Sequence, residues 1–184
     1  DRDDVCGNMS SASYTISVRD LVPPVLGNVP ANDSLSCEAA IPSDLPLHQD
    51  DCGLSMLDVS MTTLPGTCPE NYTLIRTFTA EDECGNASSA IQEVVFTDTV
   101  APTILTTPAD LVLACEDMVA DSAITAEDNC SELTLAWMDS TVMGDCPQEY
   151  TILRTHTASD ACGNSSAHLQ TIDLVDEVAP EFTD

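Results

Sequence analysis

The sequence predicts an all-β chain of tandem antiparallel sandwiches, about seven strands in each, and three observations lead there. The 184 residues repeat at a step of 78 without insertion or deletion. Segments rich in Thr, Val, Leu and Ile alternate with period two, and none sustains the 3.6-residue period of a helix. The nine cysteines recur at fixed places in each copy.

The register is plainest at a Cys-Gly-Asn turn: "DRDDVCGNMSSA" starts at residue 1, "TAEDECGNASSA" at 79 and "TASDACGNSSAH" at 157. Cys37 maps onto Cys115, Cys52 onto Cys130, Cys68 onto Cys146, Tyr72 onto Tyr150, Arg76 onto Arg154, and Asp20 onto Asp98 and Asp176. Cutting before the prolines of "VPPV", "VAPT" and "VAPE" gives two full repeats, 23–100 and 101–178. Residues 1–22 then form the C-terminal part of a preceding repeat, and residues 179–184 the start of a following one.

Within a copy, "DSLSC" or "DLVLAC" reads as a first strand, "SAITAEDNC" as a second and "LTLAWMDS" as a third. "YTLIRTFTA" and "YTILRTHTA" alternate strictly, with Tyr, Leu or Ile, Arg, Phe or His, and Ala on one face. The Cys-Gly-Asn turn leads into the returning strand, "AIQEVVFTD" or "AHLQTIDLVD", and Gly7, Gly85 and Gly163 supply the positive φ such a turn needs. Short strands spaced by turns over 78 residues define the immunoglobulin-like architecture.

Apolar burial alone holds such a unit weakly. Three Phe, three Tyr and one Trp leave each copy a thin core, so four cysteines per copy are expected to staple it, which implies an oxidising, extracellular compartment. Their spacing matches neither a zinc ribbon nor a CxxC redox pair. In a sandwich the turns bearing Cys130 and Cys162 share one end, and Cys115 and Cys146 share the other. The expected bridges are therefore Cys37–Cys68, Cys52–Cys84, Cys115–Cys146 and Cys130–Cys162, with the sequential pairs Cys37–Cys52 and Cys68–Cys84 as the alternative. Cys6 is left unpaired in this fragment, its partner lying in a preceding copy.

Thirty-two acidic against four basic residues give a net charge of -28, which excludes nucleic acid and anionic membrane as partners. No apolar run reaches the 18 or more residues of a membrane span, so membrane insertion is not expected. Enzymatic chemistry is not expected either: the GxSxG, HExxH and phosphate-loop patterns are missing, and His48, His156 and His168 have no counterpart in the other copy. Arg76 and Arg154, two of four cations, fall in register and are assigned a structural role, running along the sandwich toward a carboxylate. Asp98 and Asp176 precede the junction prolines, and Asp82 and Asp160 lie in the turns. These four are the candidate Ca2+ ligands, gathered where one sandwich meets the next, against the plainer alternative of a solvated acidic surface.

The set "RTFTAEDECGN…VFTDTVAPT", with "PADLVLACEDM" and "AEDNC" upstream, resembles the hyalin-type (HYR) and related Ig-like tandem repeats of long secreted surface proteins, such as the adhesin-like proteins of marine Bacteroidetes. The resemblance covers essentially the whole chain. It implies a secreted or cell-surface repeat protein; because the cysteines here sit at turns, no disulfide pairing is carried over from that family. Six N-x-[ST] sequons, at Asn8, Asn32, Asn71, Asn86, Asn129 and Asn164, are candidate glycosylation sites, as are Ser34, Thr99 and Ser122 in triplets similar to the Bacteroidetes O-glycosylation signal. For Asn8, Asn86 and Asn164 the plain alternative is a turn residue. The expected function is a structural segment of an extracellular filament or stalk, partnered by further copies of the repeat in the same or neighbouring chains. An adhesin or carbohydrate-binding module, or a spacer in a secreted enzyme, is the alternative.

Overall fold

The computed structural model describes residues 2–146 and 148–179, Arg2 and Asp3 by backbone alone. Of the expected start of a following repeat at 179–184, all but Ala179 lies outside the described residues. A short hairpin of β1 (Arg2–Asp3) and β2 (Met9–Ser10) flanks the first Cys-Gly-Asn turn. The 23–100 repeat supplies β3 (Val25–Gly27), β4 (Asp33–Ser36), β5 (Leu47–Gln49), β6 (Ser55–Pro65), β7 (Tyr72–Asp82) and β8 (Ala87–Thr97). The 101–178 repeat supplies β9 (Thr103–Thr106), β10 (Leu111–Ala114), β11 (Thr125–Glu127), β12 (Thr134–Met143), β13 (Tyr150–Ser159) and β14 (Ser165–Val175). Every described element is a strand, and the six strands of one copy match the six of the other one repeat step on.

Each copy has a two-stranded sheet, β3–β5 or β9–β11, and a four-stranded one in the order β4-β8-β7-β6 or β10-β14-β13-β12. The long strands pair antiparallel, with Arg154 opposite Asp139 on β12 and Gln170 on β14. The expected all-antiparallel sheet differs at one edge: β4 runs parallel to β8 and β10 parallel to β14. Period-two alternation is identical in parallel and antiparallel strands, so the pattern carries no direction.

By packing, the chain divides into two compact units. Asp1–Pro30, Asp44–Ser60 and Arg76–Gln92 form the first; Ala31–Ser43, Met61–Ile75 and Glu93–Asp184 form the second. In the first, the largest buried side chain is a cation, not a hydrocarbon. Arg76 is 1% exposed; its guanidinium lies 5.0 Å over the Phe78 ring, donates to Gln92 Oε1 at 2.7 Å and to the Asp44 carbonyl at 3.0 Å. Among the described residues the anticipated carboxylate partner is missing, because Met61 stands where the other copy has Asp139. In the second unit Leu74, Val94 and Phe96 form the core beneath Leu35, Ala39 and Tyr72, with Tyr72 stacked on Phe96 at 4.8 Å between ring centroids. There Arg154 does find a carboxylate: Nε and Nη2 donate to the two Asp139 oxygens at 2.8 and 2.9 Å while the guanidinium covers Trp137 at 4.2 Å. Those hydrogen bonds, opposed by burial, hold the Asp139 carboxyl below its ordinary range.

The covalent frame differs from the expected one. Cys37 is bonded to Cys130 and Cys68 to Cys162, both within the second unit, while Cys6, Cys52, Cys84, Cys115 and Cys146 are free. None of the expected bridges Cys37–Cys68, Cys52–Cys84, Cys115–Cys146 and Cys130–Cys162 is formed. The physical reason is that Cys37 and Cys68 close strands at the end of copy 23–100 that meets the turns of copy 101–178. Each therefore finds a cysteine of the next copy within bonding reach.

Phe96 is wholly buried in a core with few neighbours to close over a void, so Phe96→Ala is expected to cost about 3–5 kcal/mol in urea unfolding. Gly163 has φ +91° with open space around its Cα, so Gly163→Ala is expected to cost about 1–2 kcal/mol from backbone strain alone.

Candidate functional site

The site is built from one local motif, Asp-x-Cys, that occurs twice per copy. A turn leaves its backbone N–H groups without strand partners, and a carboxylate one turn earlier in the chain satisfies them. Cys6, Cys84 and Cys162 donate their N–H to Asp4, Asp82 and Asp160 at 2.8–2.9 Å, and Asn8, Asn86 and Asn164 donate both backbone N–H and side-chain Nδ2 to the same carboxylates. The glycines between them adopt φ +77°, +86° and +91°, as expected for this turn. The second motif repeats the contact: Cys52 N–H reaches Asp50 and Cys130 N–H reaches Asp128, both at 2.9 Å.

These turns bring carboxylates together at the end of the copy where the preceding repeat enters. In the first unit one oxygen each from Asp20, Asp50 and Asp82 lies within 4.8 Å of the others; in the second, Asp98, Asp128 and Asp160 do the same, one repeat step on. Asp98 is 4% and Asp160 8% exposed. Asp98 Oδ1 accepts from Val100 N–H and Oδ2 from Ser131 Oγ. Asp128 Oδ2 accepts from Cys130 and Ser131 N–H, whereas its Oδ1 is buried without a hydrogen-bond partner among the described residues. Three converging carboxylates, one with a buried oxygen that lacks a hydrogen-bond partner, are a hard-oxygen donor set that fits a divalent cation such as Ca2+.

The expected ligands Asp82, Asp98, Asp160 and Asp176 are thus distributed differently. Asp98 and Asp160 share a cluster, Asp82 belongs to the earlier one, and Asp176 joins none among the described residues, although it accepts from Val178 N–H as Asp98 accepts from Val100. Asp20, Asp50 and Asp128 escape the sequence reading. Their signal is present, since Asp50 and Asp128 stand two residues before a cysteine as Asp82 and Asp160 do.

The entering chain is held by the same contacts at both junctions. Asn86 Nδ2 donates to the Asp20 carbonyl and Asn164 Nδ2 to that of Asp98, at 3.2 and 3.4 Å; Ser88 donates to the Pro24 carbonyl and Ser166 to that of Pro102, at 2.6 and 2.5 Å. Beside the second triad runs the Cys37–Cys130 disulfide, next to Asp98. Beside the first, the free Cys52 thiol is surrounded by Asp20, Asp50 and Asp51; chiefly the Asp20 charge, with burial second, pushes its pKa up.

The other sequence-level candidates fall into place around this frame. Asn8, Asn86 and Asn164 spend their amide nitrogens inside the turns. Asn71 accepts from Asp98 N–H at 2.7 Å, Asn32 from Glu93 N–H at 2.8 Å, and Asn129 lies against the Cys37 and Cys130 sulfurs. Ser34 and Thr99 are exposed, and Ser122 donates to Gln170 Oε1 at 2.8 Å.

No protein-family model matches the chain, and no curated protein matches it. Among solved structures it is similar to Drosophila N-cadherin EC1-4 (12% identity over 84% of this chain and 50% of that one, TM-score 0.37). It is also similar to protocadherin gamma B7 extracellular cadherin domains 1-4 (14%, 84% and 51%, TM-score 0.34). The N-terminal Ig1-2 module of the Drosophila receptor protein tyrosine phosphatase DLAR is a third (15%, 85% and 100%, TM-score 0.30). The chain spans about half the length of the two cadherin chains.

Burial raises the pKa of Asp82 and Asp160, but the hydrogen bonds from Asn86 or Asn164 and from the Cys and Gly N–H groups outweigh it and leave both carboxyls below their ordinary range. A carboxyl lowered by folding contributes stability that is complete above its unfolded value, about 4, and is lost as pH falls through the lowered one. The melting temperature is therefore expected to drop on acidification below about pH 4. In Asp160→Ala the melting temperature at pH 7 should already be reduced and the acid drop shallower, as calorimetry across pH 2–7 would show.

Proposed function

We propose that this chain is a structural segment of a repetitive extracellular filament or stalk, with 23–100 and 101–178 as its repeating modules between the pieces 1–22 and 179–184. One observation carries the reading: both disulfides join a cysteine of one repeat to a cysteine of the next, at sequence separations of 93 and 94 residues. A bridge of that kind does little for a module acting alone and a great deal for a string of modules, because it fixes each repeat to its successor. In the chain-entropy model a first bridge closing so long a loop stabilises by roughly 4–5 kcal/mol. Such bridges persist in an oxidising compartment, which supports a secreted or cell-surface location. Length, stiffness and protease resistance follow from covalent continuity at every junction. The lone tryptophan supports this over sugar recognition, since Arg154 covers one face of the Trp137 ring that stacking would need.

Within this reading the Asp20–Asp50–Asp82 and Asp98–Asp128–Asp160 triads bind Ca2+ and stiffen the junctions further. Three carboxylates per cluster in a chain of net charge -28 repel one another, and a divalent cation relieves that repulsion where it is greatest.

Negative-stain electron microscopy of the purified native polymer is expected to show thin extended fibres with an axial repeat of about 33–37 Å, the length of strands of 10–11 residues at about 3.3–3.4 Å each. Compact particles would refute the filament. Millimolar calcium is expected to raise the melting temperature over EDTA by several degrees, and by less in Asp128→Ala. An unchanged melting temperature removes calcium from the account and leaves the fibre standing.

A further inference from the structure

Five cysteines are free in a chain whose other four are bonded. We propose that Cys52 and Cys84, and at the other end Cys115 and Cys146, are half-sites of the same two inter-repeat disulfides, each completed by a neighbouring copy of the repeat in the same polypeptide. The inference rests on the filament reading only in taking that neighbour to be another copy.

The cysteines belong to two kinds. Cys6, Cys52, Cys84, Cys130 and Cys162 stand in Asp-x-Cys turns; Cys37, Cys68, Cys115 and Cys146 do not. Both disulfides join one cysteine of each kind, always a plain one to an Asp-x-Cys cysteine of the following repeat. Under that rule no two of the free cysteines are partners, because Cys6, Cys52 and Cys84 require a plain cysteine from an earlier copy, and Cys115 and Cys146 an Asp-x-Cys cysteine from a later one.

The free cysteines are also presented as the bonded ones are. Cys115 N–H donates to the Val175 carbonyl at 3.0 Å as Cys37 N–H does to that of Thr97. The Cys146 carbonyl accepts from Glu149 at 3.0 Å as the Cys68 carbonyl accepts from Asn71 at 3.1 Å. Cys52 and Cys84 make the carboxylate contacts of Cys130 and Cys162 at matching distances. Even the chain leaving the second repeat is set as it leaves the first, with Val178 N–H on Asp176 Oδ1 at 3.0 Å and Val100 N–H on Asp98 Oδ1 at 3.2 Å. Cys52, Cys84 and Cys146 are exposed and Cys115 half-buried, so the thiols are open to a partner.

Each bond forms by exchange with a disulfide oxidant of the secretory compartment. One thiol, deprotonated, attacks the oxidant's S–S bond and expels one thiol; the second, deprotonated, attacks the resulting mixed disulfide and expels the other. Two protons and two electrons pass from the protein to the oxidant, which leaves as two thiols.

The test continues the full 184-residue chain in register. Asp184 stands two repeat steps after Asn28, so appending residues 29–184 extends the array without a break. After secretion through an oxidising compartment, free thiols are blocked with N-ethylmaleimide and unreduced peptides are mapped by mass spectrometry. The expected links at the new junction are Cys115 to the appended Cys52 and Cys146 to the appended Cys84. The blocked thiols should stay at the same five positions per chain: Cys6, Cys52, Cys84 and the last Cys115 and Cys146. The Cys37–Cys130 and Cys68–Cys162 links in the same digest certify that the chain has folded. Bridges between Cys52 and Cys84 or between Cys115 and Cys146 within one copy overturn the proposal, as does a thiol count that rises with the added unit. Either result leaves the fibre that microscopy tests as a separate question.

Discussion

The hydrogen bond from a cysteine N–H to the carboxylate two residues before it is the contact on which the rest of this structure depends. It closes the turn, fixes the direction in which the cysteine side chain leaves the backbone, and places the same carboxylate in the acidic cluster at the repeat junction. Asp160 shows all three effects at once: it caps Cys162, it aims that cysteine at Cys68, and it approaches Asp98 and Asp128. Because one oxygen set performs these tasks, a single five-residue turn serves both the cross-link and the acidic cluster at that junction.

The dependence on turns follows from what the sheets lack. The wholly buried positions include Arg76, His156 and Gln170 alongside Phe78, Phe96 and Ile172, so polar side chains occupy volume that hydrocarbon fills in a larger domain. A buried guanidinium is tolerable only when hydrogen bonds replace its water. Arg154 meets that condition with a bidentate carboxylate and the Ala120 carbonyl, whereas Arg76 meets it only at Nη1 and Nη2, with a neutral amide and a carbonyl, and its Nε has no partner among the described residues. The two copies thus solve one packing problem with different partners, while the backbone of every strand stays in register.

Much of this is legible in the sequence, and for physical reasons. Strict alternation in "YTLIRTFTA" reports burial directly, so the inward face of Leu74, Arg76, Phe78 and Ala80 follows from the order of residues alone. Positive φ at Gly85 and Gly163 follows from turn chemistry. The disulfides do not follow, because a sequence reading that closes each repeat on itself pairs the wrong cysteines. Which ends of the sandwich the cysteines occupy is sound, but nothing in their spacing distinguishes a neighbour within a copy from one across a junction. The Asp-x-Cys distinction does carry that information, and it becomes visible only once Cys37 and Cys130 are known to meet. Likewise Asp20 is in register with Asp98 and Asp50 shares the Asp-x-Cys spacing of Asp82, but that the three carboxylates meet is set by the folded turns.

The two disulfide-closed loops overlap, since Cys68 lies inside the span from Cys37 to Cys130 while Cys162 lies outside it. Tension applied to the two chain ends enters at one bridge and leaves at the other, and three backbone arcs connect them in parallel. Two of these, Cys37 to Cys68 and Cys130 to Cys162, are of nearly equal length and come taut together. The third, Cys68 to Cys130, is roughly twice as long and stays slack. That slack arc contains the peptide from Asp98 to Pro102 that connects the copies in sequence, so in a drawn-out chain the residues that look like the linker are the last to come under load.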